Sequence, residues 1–235
     1  MMGRSALAQT GTTAEAAFPT VEEPSSRAER LCRLFWLFFL AAFLGDLIEV
    51  VFCRFTMGRF MSRSSVLYGP FSLVWGMGAV VLTLVLRRWN GQPNTWVFAA
   101  GTVLGGGYEY LCSWLQEVLF GASFWDYSHL PLNLNGRVNL IYCLFWGAAA
   151  VFWLRAAAPL LCWWISLIPR KLIKPLTTAA ALLMAVNIAL SGLALVRQSA
   201  RQSGVPAANA VELFLDRHYP DQRLEQVYPT LHRVA

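Results

Sequence analysis

Long apolar runs separated by short polar segments dominate the chain. Five of these runs are long enough to cross a bilayer as helices, because one crossing needs about 20 apolar residues. The runs cover residues 31–51, 66–86, 95–119, 138–154 and 175–196. Residues 156–168 are also apolar but contain Pro159, which favours an extension of the fourth helix or an interfacial segment. The pattern predicts an all-α polytopic transmembrane helix bundle of about five spans, with six as the alternative.

Polar regions flank this predicted transmembrane domain of residues 31–196. Residues 1–30 contain Ala, Thr, Ser, Glu and Pro without an apolar block, which predicts a flexible N-terminal arm and no cleavable signal peptide. Residues 197–235 form a C-terminal tail in which we expect a short amphipathic helix that ends at Pro220. A frayed tail is the alternative.

The composition supports a membrane protein. Of the 235 residues, 57% are hydrophobic and 14% are charged, whereas soluble domains are about 25% charged. The net charge of +6 occurs together with apolar spans. It therefore indicates contact with anionic lipid and signals of membrane topology, and it does not indicate binding to nucleic acid. The face with the N-terminal arm carries nine Lys and Arg residues against six on the other, which predicts a cytoplasmic N-terminus. Five spans then leave the C-terminus outside, and a sixth would bring it inside.

Four acidic residues lie within the predicted spans. Insertion scales assign roughly 2.5–3.5 kcal/mol to a charge at the centre of a membrane helix, so such residues usually face protein or water. Asp46 and Glu49 are three residues apart and therefore share one helix face. Glu109 and Glu117 are eight residues apart, which separates them by about 80° around the helix. In an alternating topology, both pairs lie toward the same membrane face.

The two loops expected at that face carry arginine, aromatic and amide side chains. The loop at 120–137 combines aromatic residues with hydrogen-bond donors, which predicts a re-entrant or interfacial loop. We therefore expect one polar substrate-binding cavity formed by Asp46, Glu49, Arg63, Glu109, Glu117, Trp125, Asp126, Asn133 and Arg137. The alternative is that Glu49 and Glu117 reach the membrane edge or pair with loop arginines.

Sequence motifs for catalysis and for cofactor binding do not occur in the chain. There is no nucleotide-binding Gly-rich loop with Lys-Ser/Thr, no His-Glu-x-x-His and no Gly-x-Ser-x-Gly. The three histidines and five cysteines are scattered without the spacing of metal ligands or of a disulfide framework. We therefore expect no metal and no cofactor, and the catalytic residues of any reaction stay unknown.

An ordered series of short motifs between Phe39 and Gly147 is similar to that of a known family. The series is Gly45…Glu49; Arg63…Leu67-Tyr68-Gly69-Pro70; Tyr108-Glu109 and Glu117; Phe120-Gly121; Trp125-Asp126-Tyr127-Ser128; Asn133…Gly136-Arg137; and Trp146-Gly147. In this series the chain resembles small bacterial membrane proteins catalogued as ABC-transporter permeases of type IV. It departs from the family's usual pattern at Asp46, because a Trp usually follows the glycine there.

The resemblance implies a multi-pass protein of the bacterial cytoplasmic membrane, and it favours a transporter subunit for a small or lipidic solute. One alternative is a membrane-embedded enzyme or lipid-processing protein that uses in-span carboxylates, which is less favoured. A second alternative is a non-catalytic envelope scaffold. The expected partner is membrane lipid, and further candidates are a separate ATPase subunit and a second copy of the chain.

Overall fold

A computed structural model describes residues 26–233, which are mostly helical and contain four strands of two residues each. The α-helices are α1 (Arg27–Met57), α2 (Leu73–Leu86), α3 (Asn94–Phe120), α4 (Leu140–Phe152), α5 (Ala158–Ser166), α6 (Arg170–Gln202), α7 (Ala210–His218) and α8 (Asp221–Val227). The short strands are β1 (Ala122–Ser123), β2 (Asn133–Leu134), β3 (Val138–Asn139) and β4 (His232–Arg233). A π-helical segment, Trp153–Ala157, joins α4 to α5. The fourth helix is therefore extended through the apolar, Trp-rich segment, as the sequence predicts.

Within residues 26–233, three helices are long and apolar enough to cross a membrane: α1, the continuous α4–α5 helix and α6. The 31 residues of α1 extend about 46 Å, well beyond a hydrocarbon core of about 30 Å. In contrast, α2 has 14 residues and a length of about 21 Å. The all-α class is confirmed, whereas a count of about five spans is not.

The helix of the second predicted span starts later than expected. The apolar run at 66–86 predicts helix from its beginning, but α2 begins at Leu73. Gly69 has a φ of 81°, a left-handed conformation that glycine adopts readily. The Ser64 hydroxyl lies 2.9 Å from the Gly69 carbonyl oxygen and stabilises this turn. Pro70 therefore lies before the helix and not in its first turn.

The first turn of α1 is stabilised by the side chain of Ser26. The Ser26 hydroxyl accepts a hydrogen bond from the Glu29 backbone N–H (3.1 Å), which satisfies one of the free N–H groups of the first turn. Residues 1–25 of the predicted N-terminal arm, which covers residues 1–30, lie outside the described residues.

The closest helix packing joins α3 to α4. A Cβ at Gly101 would lie 2.3 Å from the Cβ of Ala150, and one at Gly105 would lie 2.2 Å from the Cβ of Trp146. Real side chains essentially never approach this closely, so larger residues at these positions would force the two backbones apart. Small residues at such a spacing are typical of helix pairs in membranes.

The C-terminal residues 207–233, here called the cap, fold onto the ends of α3 and α6. Leu215, Leu224 and Tyr228 of the cap are buried against Leu67 and the last part of α6. Strand β4 pairs with β1 in antiparallel register. The cap therefore closes over the segment between α1 and α2 and over the beginning of the α3–α4 loop.

The helix expected in the tail occurs as two short helices, α7 and α8, on either side of Pro220. Leu215 is buried, whereas Val211 and Leu213 are exposed. Residues 121–139 form an ordered loop that contains the β2–β3 hairpin. The re-entrant or interfacial position of this loop remains a prediction.

Candidate functional site

Asp46 and Glu49 lie near the end of α1, where α2 begins. Gly45 lets α2 approach closely, because a Cβ at this position would lie 2.3 Å from the Cγ of Trp75. The Trp75 indole N–H donates a hydrogen bond to Glu49 Oε1 (2.7 Å). One turn earlier on α1, Asp46 is only 2% exposed.

Arg63, from the segment between α1 and α2, neutralises Glu49. Its Nε lies 3.0 Å from Glu49 Oε2. Its Nη1 donates a hydrogen bond to Thr230 Oγ1 in the cap (3.1 Å). Glu49 is therefore partnered on both oxygens, by Trp75 and by Arg63, and it is linked to the cap through Arg63.

Glu109 is buried in α3, with 7% of its surface exposed. The Tyr127 hydroxyl donates a hydrogen bond to Glu109 Oε1 (2.9 Å), and the Tyr127 ring stacks on Tyr142 with centroids 4.5 Å apart. Burial raises the pKa of Tyr127, and the carboxylates of Glu109 and Glu49 raise it further. Tyr127 therefore stays protonated as a donor, and both glutamates act on the same hydroxyl group.

Two buried carboxylate oxygens in this region, Asp46 Oδ1 and Glu109 Oε2, have no hydrogen-bond partner among residues 26–233. Trp146 faces Glu109, but its indole does not complete a hydrogen bond to Oε2. Glu49 interacts electrostatically with both Asp46 and Glu109. We call these three residues the acid cluster. It contains three carboxyl groups, and Arg63 is the cation paired with it.

Aromatic rings line the acid cluster. The ring centroids of Trp75 and Trp146 are 5.8 Å apart, and Tyr108 packs edge-on against Trp146 at 5.6 Å. The Tyr108 hydroxyl donates a hydrogen bond to the Val74 carbonyl oxygen (2.9 Å), which fixes α3 against the start of α2. The surroundings of the acids are therefore apolar, with indole and phenol groups as the main polar neighbours.

Sequence reasoning missed Trp75, Tyr127 and Trp146 as neighbours of the acids. Tyr127 and Trp146 belong to the motif series that carries the family resemblance, and that series was the signal available for them. Trp75 has no comparable signal, because only the packing of α2 against Gly45 brings its indole to Glu49.

Glu117 and Arg137 form an ion pair of their own at the end of α3. The Arg137 guanidinium lies over the Tyr110 ring, 5.8 Å from its centroid. The Arg137 carbonyl oxygen accepts a hydrogen bond from the Trp125 indole N–H (2.9 Å). Glu49 and Glu117 are thus each paired with a loop arginine, which is the alternative that the sequence leaves open.

Asp126 and Asn133 form hydrogen bonds within the α3–α4 loop. Asp126 accepts from the Ser128 backbone N–H (2.8 Å) and hydroxyl (2.7 Å), and these bonds lower the pKa of Asp126. Asn133 donates to the Leu130 carbonyl oxygen (2.7 Å) and accepts from the Gly136 N–H (2.9 Å). Both side chains therefore stabilise the local turn.

The structure divides the nine predicted site residues into two groups. The first group consists of Asp46, Glu49, Arg63 and Glu109. The second follows the α3–α4 loop and consists of Glu117, Trp125, Asp126, Asn133 and Arg137. A substrate-binding role for any of them stays a prediction. In residues 26–233, no group of three or more His, Cys, Asp or Glu side chains is placed to hold a metal ion.

A further concentration of charge joins the end of α6 to the cap. Arg197, which is 5% exposed, reaches both oxygens of Asp216 through its Nε and Nη2, each at 2.9 Å. Arg201 pairs with Asp216 and Asp221, each at 2.6 Å. Hydrogen bonds from Arg197 and then from Arg201 lower the pKa of Asp216 to about 2. Each aspartate in this arginine network therefore faces a guanidinium group.

A comparison with known families matches residues 36–192 to the family described as "Putative ABC-transporter type IV". The match begins in α1 and ends in α6, so it includes the whole acid cluster and excludes the cap. No curated protein and no solved structure matches the chain.

Proposed function

The chain belongs to the ABC-transporter type IV family, and from this membership we propose that it is the membrane-embedded permease subunit of a transporter for a small or lipidic solute. The family and the three apolar helices together fit a transporter-like membrane protein. We place it in the bacterial cytoplasmic membrane. A separate subunit would supply ATP hydrolysis, because the sequence contains no nucleotide-binding loop.

The observation that carries the proposal is that two buried acids of the acid cluster each have a carboxylate oxygen without a hydrogen-bond partner. Asp46 lies in α1 and Glu109 in α3, both are more than nine-tenths buried, and within residues 26–233 each leaves a carboxylate oxygen without a partner. Native proteins rarely bury polar atoms in this way, because an unpaired buried group costs free energy. Ionisable residues in membrane helices usually mark a substrate or ion pathway. The cluster therefore has the chemistry of a binding site on a transport route.

The position of the acid cluster also fits a transport route. The cluster lies where α1, α2 and α3 meet, and Arg63 connects it to the cap on the face where α1, α3 and α6 end. A solute that enters from this face meets Arg63 and Glu49 first and Glu109 after them. Separation of α2 from α1 would widen the site, because Trp75 packs directly on the Gly45 backbone.

The test uses a deletion strain and compares solutes and lipids in the cells and in the medium. We expect deletion to shift one solute or lipid class between the two compartments. The wild-type chain should restore the distribution, and Glu109→Gln should not. Glu225→Gln should restore it fully, because Glu225 is an exposed acid on α8.

Full restoration by Glu109→Gln would contradict the proposal, provided that both variants reach the membrane in equal amounts. Interconversion of a substrate and a product, without redistribution, would instead favour the enzyme. Loss of a partner protein from the membrane, with neither change, would favour the scaffold.

A further inference from the structure

We propose that the acid cluster binds the ammonium group of its solute, so that the transported molecule is an amine or a lipid with an ammonium headgroup. This inference rests on the proposed function and names its substrate class. Its basis is the charge balance, the unpartnered oxygens and the aromatic surroundings of the cluster.

The charge balance of the site favours a cation. Glu49 interacts electrostatically with both Asp46 and Glu109, and among residues 26–233 one guanidinium group, that of Arg63, is paired with the cluster. Arg63 is already committed to Glu49 and to Thr230. An anionic solute would add to the repulsion, whereas a cationic one would relieve it.

The unpartnered atoms specify a hydrogen-bond donor. Asp46 Oδ1 and Glu109 Oε2 are both acceptors, and neither has a partner. The donors Trp75 and Tyr127 are already bonded to Glu49 Oε1 and Glu109 Oε1. The Trp146 indole faces Glu109 but does not complete a hydrogen bond to Oε2. An ammonium group brings up to three N–H donors on one compact centre, so it can complete acceptors that these side chains leave open.

The surroundings of the acids favour an organic cation over a metal ion. In the described part of the chain, the acids are not arranged as a group that could hold a metal. Instead, the indole rings of Trp75 and Trp146 lie beside them, 5.8 Å apart. Aromatic faces attract organic ammonium groups, and the attraction strengthens when water is excluded.

Arg63 shows that a nitrogen cation is accommodated here. Its guanidinium lies against Glu49, whose other oxygen is held by the Trp75 indole. The solute ammonium would bind beside Arg63, at the unpartnered oxygen of Asp46 or of Glu109. These two residues are the members of the cluster that Arg63 does not pair with directly.

The experiment measures binding to the purified full-length chain in dodecyl maltoside, a detergent without charge. The probe is benzylammonium at constant ionic strength, followed by tryptophan fluorescence and by the midpoint of thermal unfolding. Benzyl alcohol and benzoate have the same ring without the cation and are the matched controls. We expect saturable binding of benzylammonium and at least tenfold weaker binding of both controls.

Variants assign the binding to the cluster. Asp46→Asn and Glu109→Gln should each weaken benzylammonium binding at least tenfold, whereas Glu225→Gln should leave it unchanged. Two independent variants are used so that one that fails to fold does not decide the result. Equal binding of benzyl alcohol, no binding of benzylammonium, or unchanged affinity in a folded Asp46→Asn or Glu109→Gln protein would overturn the inference.

A second arm distinguishes a free amine from a lipid headgroup. Dihexanoyl-phosphatidylethanolamine carries the ammonium group on a lipid, and dihexanoyl-phosphatidylglycerol is its control without the cation. Tighter binding of the ethanolamine lipid than of benzylammonium identifies the lipid headgroup, and the reverse order identifies a free amine. If benzylammonium fails to bind while Glu109→Gln still fails in the deletion strain, the ammonium inference falls and the permease proposal stands.

Discussion

Two regions of the molecule concentrate charged side chains, and the ratio of acidic to basic groups differs between them. In the arginine network between α6 and the cap, Arg197 contacts both carboxylate oxygens of Asp216, and Arg201 contacts one oxygen of Asp216 and one of Asp221. In the acid cluster, three carboxyl groups meet a single arginine, and two oxygens have no partner. Both regions lie toward the face where α1, α3 and α6 end.

The difference separates charged groups that stabilise the fold from charged groups that the fold leaves without a partner. Paired guanidinium and carboxylate groups repay part of their desolvation cost and fix the geometry of the chain around them. A buried carboxylate oxygen without a partner has no interaction that offsets its desolvation, so the presence of Asp46 and Glu109 needs a reason outside stability. The two regions should therefore respond in opposite directions when a charge is removed.

The largest effect is expected in the arginine network. Arg197→Met should lower the free energy of unfolding by roughly 3 kcal/mol, because it leaves Asp216 partly buried without its main counter-charge. Chemical unfolding in detergent, followed by circular dichroism, measures this loss. The double variant Arg197→Met/Asp216→Leu should recover most of it, since Arg201 keeps Asp221 as a partner. A loss below about 1 kcal/mol in the single variant would show that the network is not structural.

Acid should release the cap before it affects the helix bundle. The pKa of Asp216 is lowered from 3.8 to about 2 by its two arginines, so its stabilising contribution is complete above pH 3.8. This contribution is lost as the pH falls from 3.8 toward 2, because protonation removes the negative charge. Distances between spin labels on α6 and α8 should lengthen in that window. In Asp216→Asn they should be long already at pH 7.

The acid cluster should show the opposite sign. Asp46→Asn removes a buried charge that has no direct counter-charge, so we expect the free energy of unfolding to rise by about 1 kcal/mol. The same unfolding measurement applies, with the exposed acid of Glu225→Gln as the neutral reference. A clear loss of stability in Asp46→Asn would mean that Asp46 has a structural partner and that the contrast between the two regions is wrong.

The smallest effect is expected for an exposed cation of the cap. Arg223 lies 5.0 Å from the centroid of the Tyr219 ring and 5.9 Å from that of Tyr68. Exposed contacts of this kind contribute about 0.5 kcal/mol, so Arg223→Ala should lower stability by that amount. A loss of stability comparable with that of Arg197→Met would show that burial does not determine which of these two arginines contributes more to stability.

Hydrophobic pattern was sufficient to predict the helices but not all of their starts. The runs at 31–51, 95–119 and 175–196 fall within α1, α3 and α6, because a long, mostly apolar run uninterrupted by turn residues favours a continuous helix. The run at 66–86 does not begin as a helix, since a left-handed Gly69 and the following Pro70 form a turn there. Average hydropathy does not register such a turn, because Val66, Leu67 and Phe71 on either side of it keep the run apolar.

The candidate site divides in the same way. In-span spacing identified Asp46, Glu49 and Glu109, since a carboxylate in an apolar run stands out against its neighbours. Their partners come from far along the chain: Arg63 bonds Thr230, 167 residues later, and Trp75 bonds Glu49 across two helices. Sequence spacing carries no information on contacts between segments whose separation is set by loops and packing.

The sequence by itself therefore determined the class of this protein, an all-α membrane protein of a transporter family, and the acids that are expensive to bury. Tertiary structure alone decided which acids are compensated. Glu49 and Glu117 have loop arginines, while Asp46 and Glu109 each keep an unpartnered oxygen. The physical reason is that the cost of burying a charge depends on residue type and local hydrophobicity, which the sequence states. Its compensation depends on distances of a few ångströms between distant segments, which only the packed helices establish.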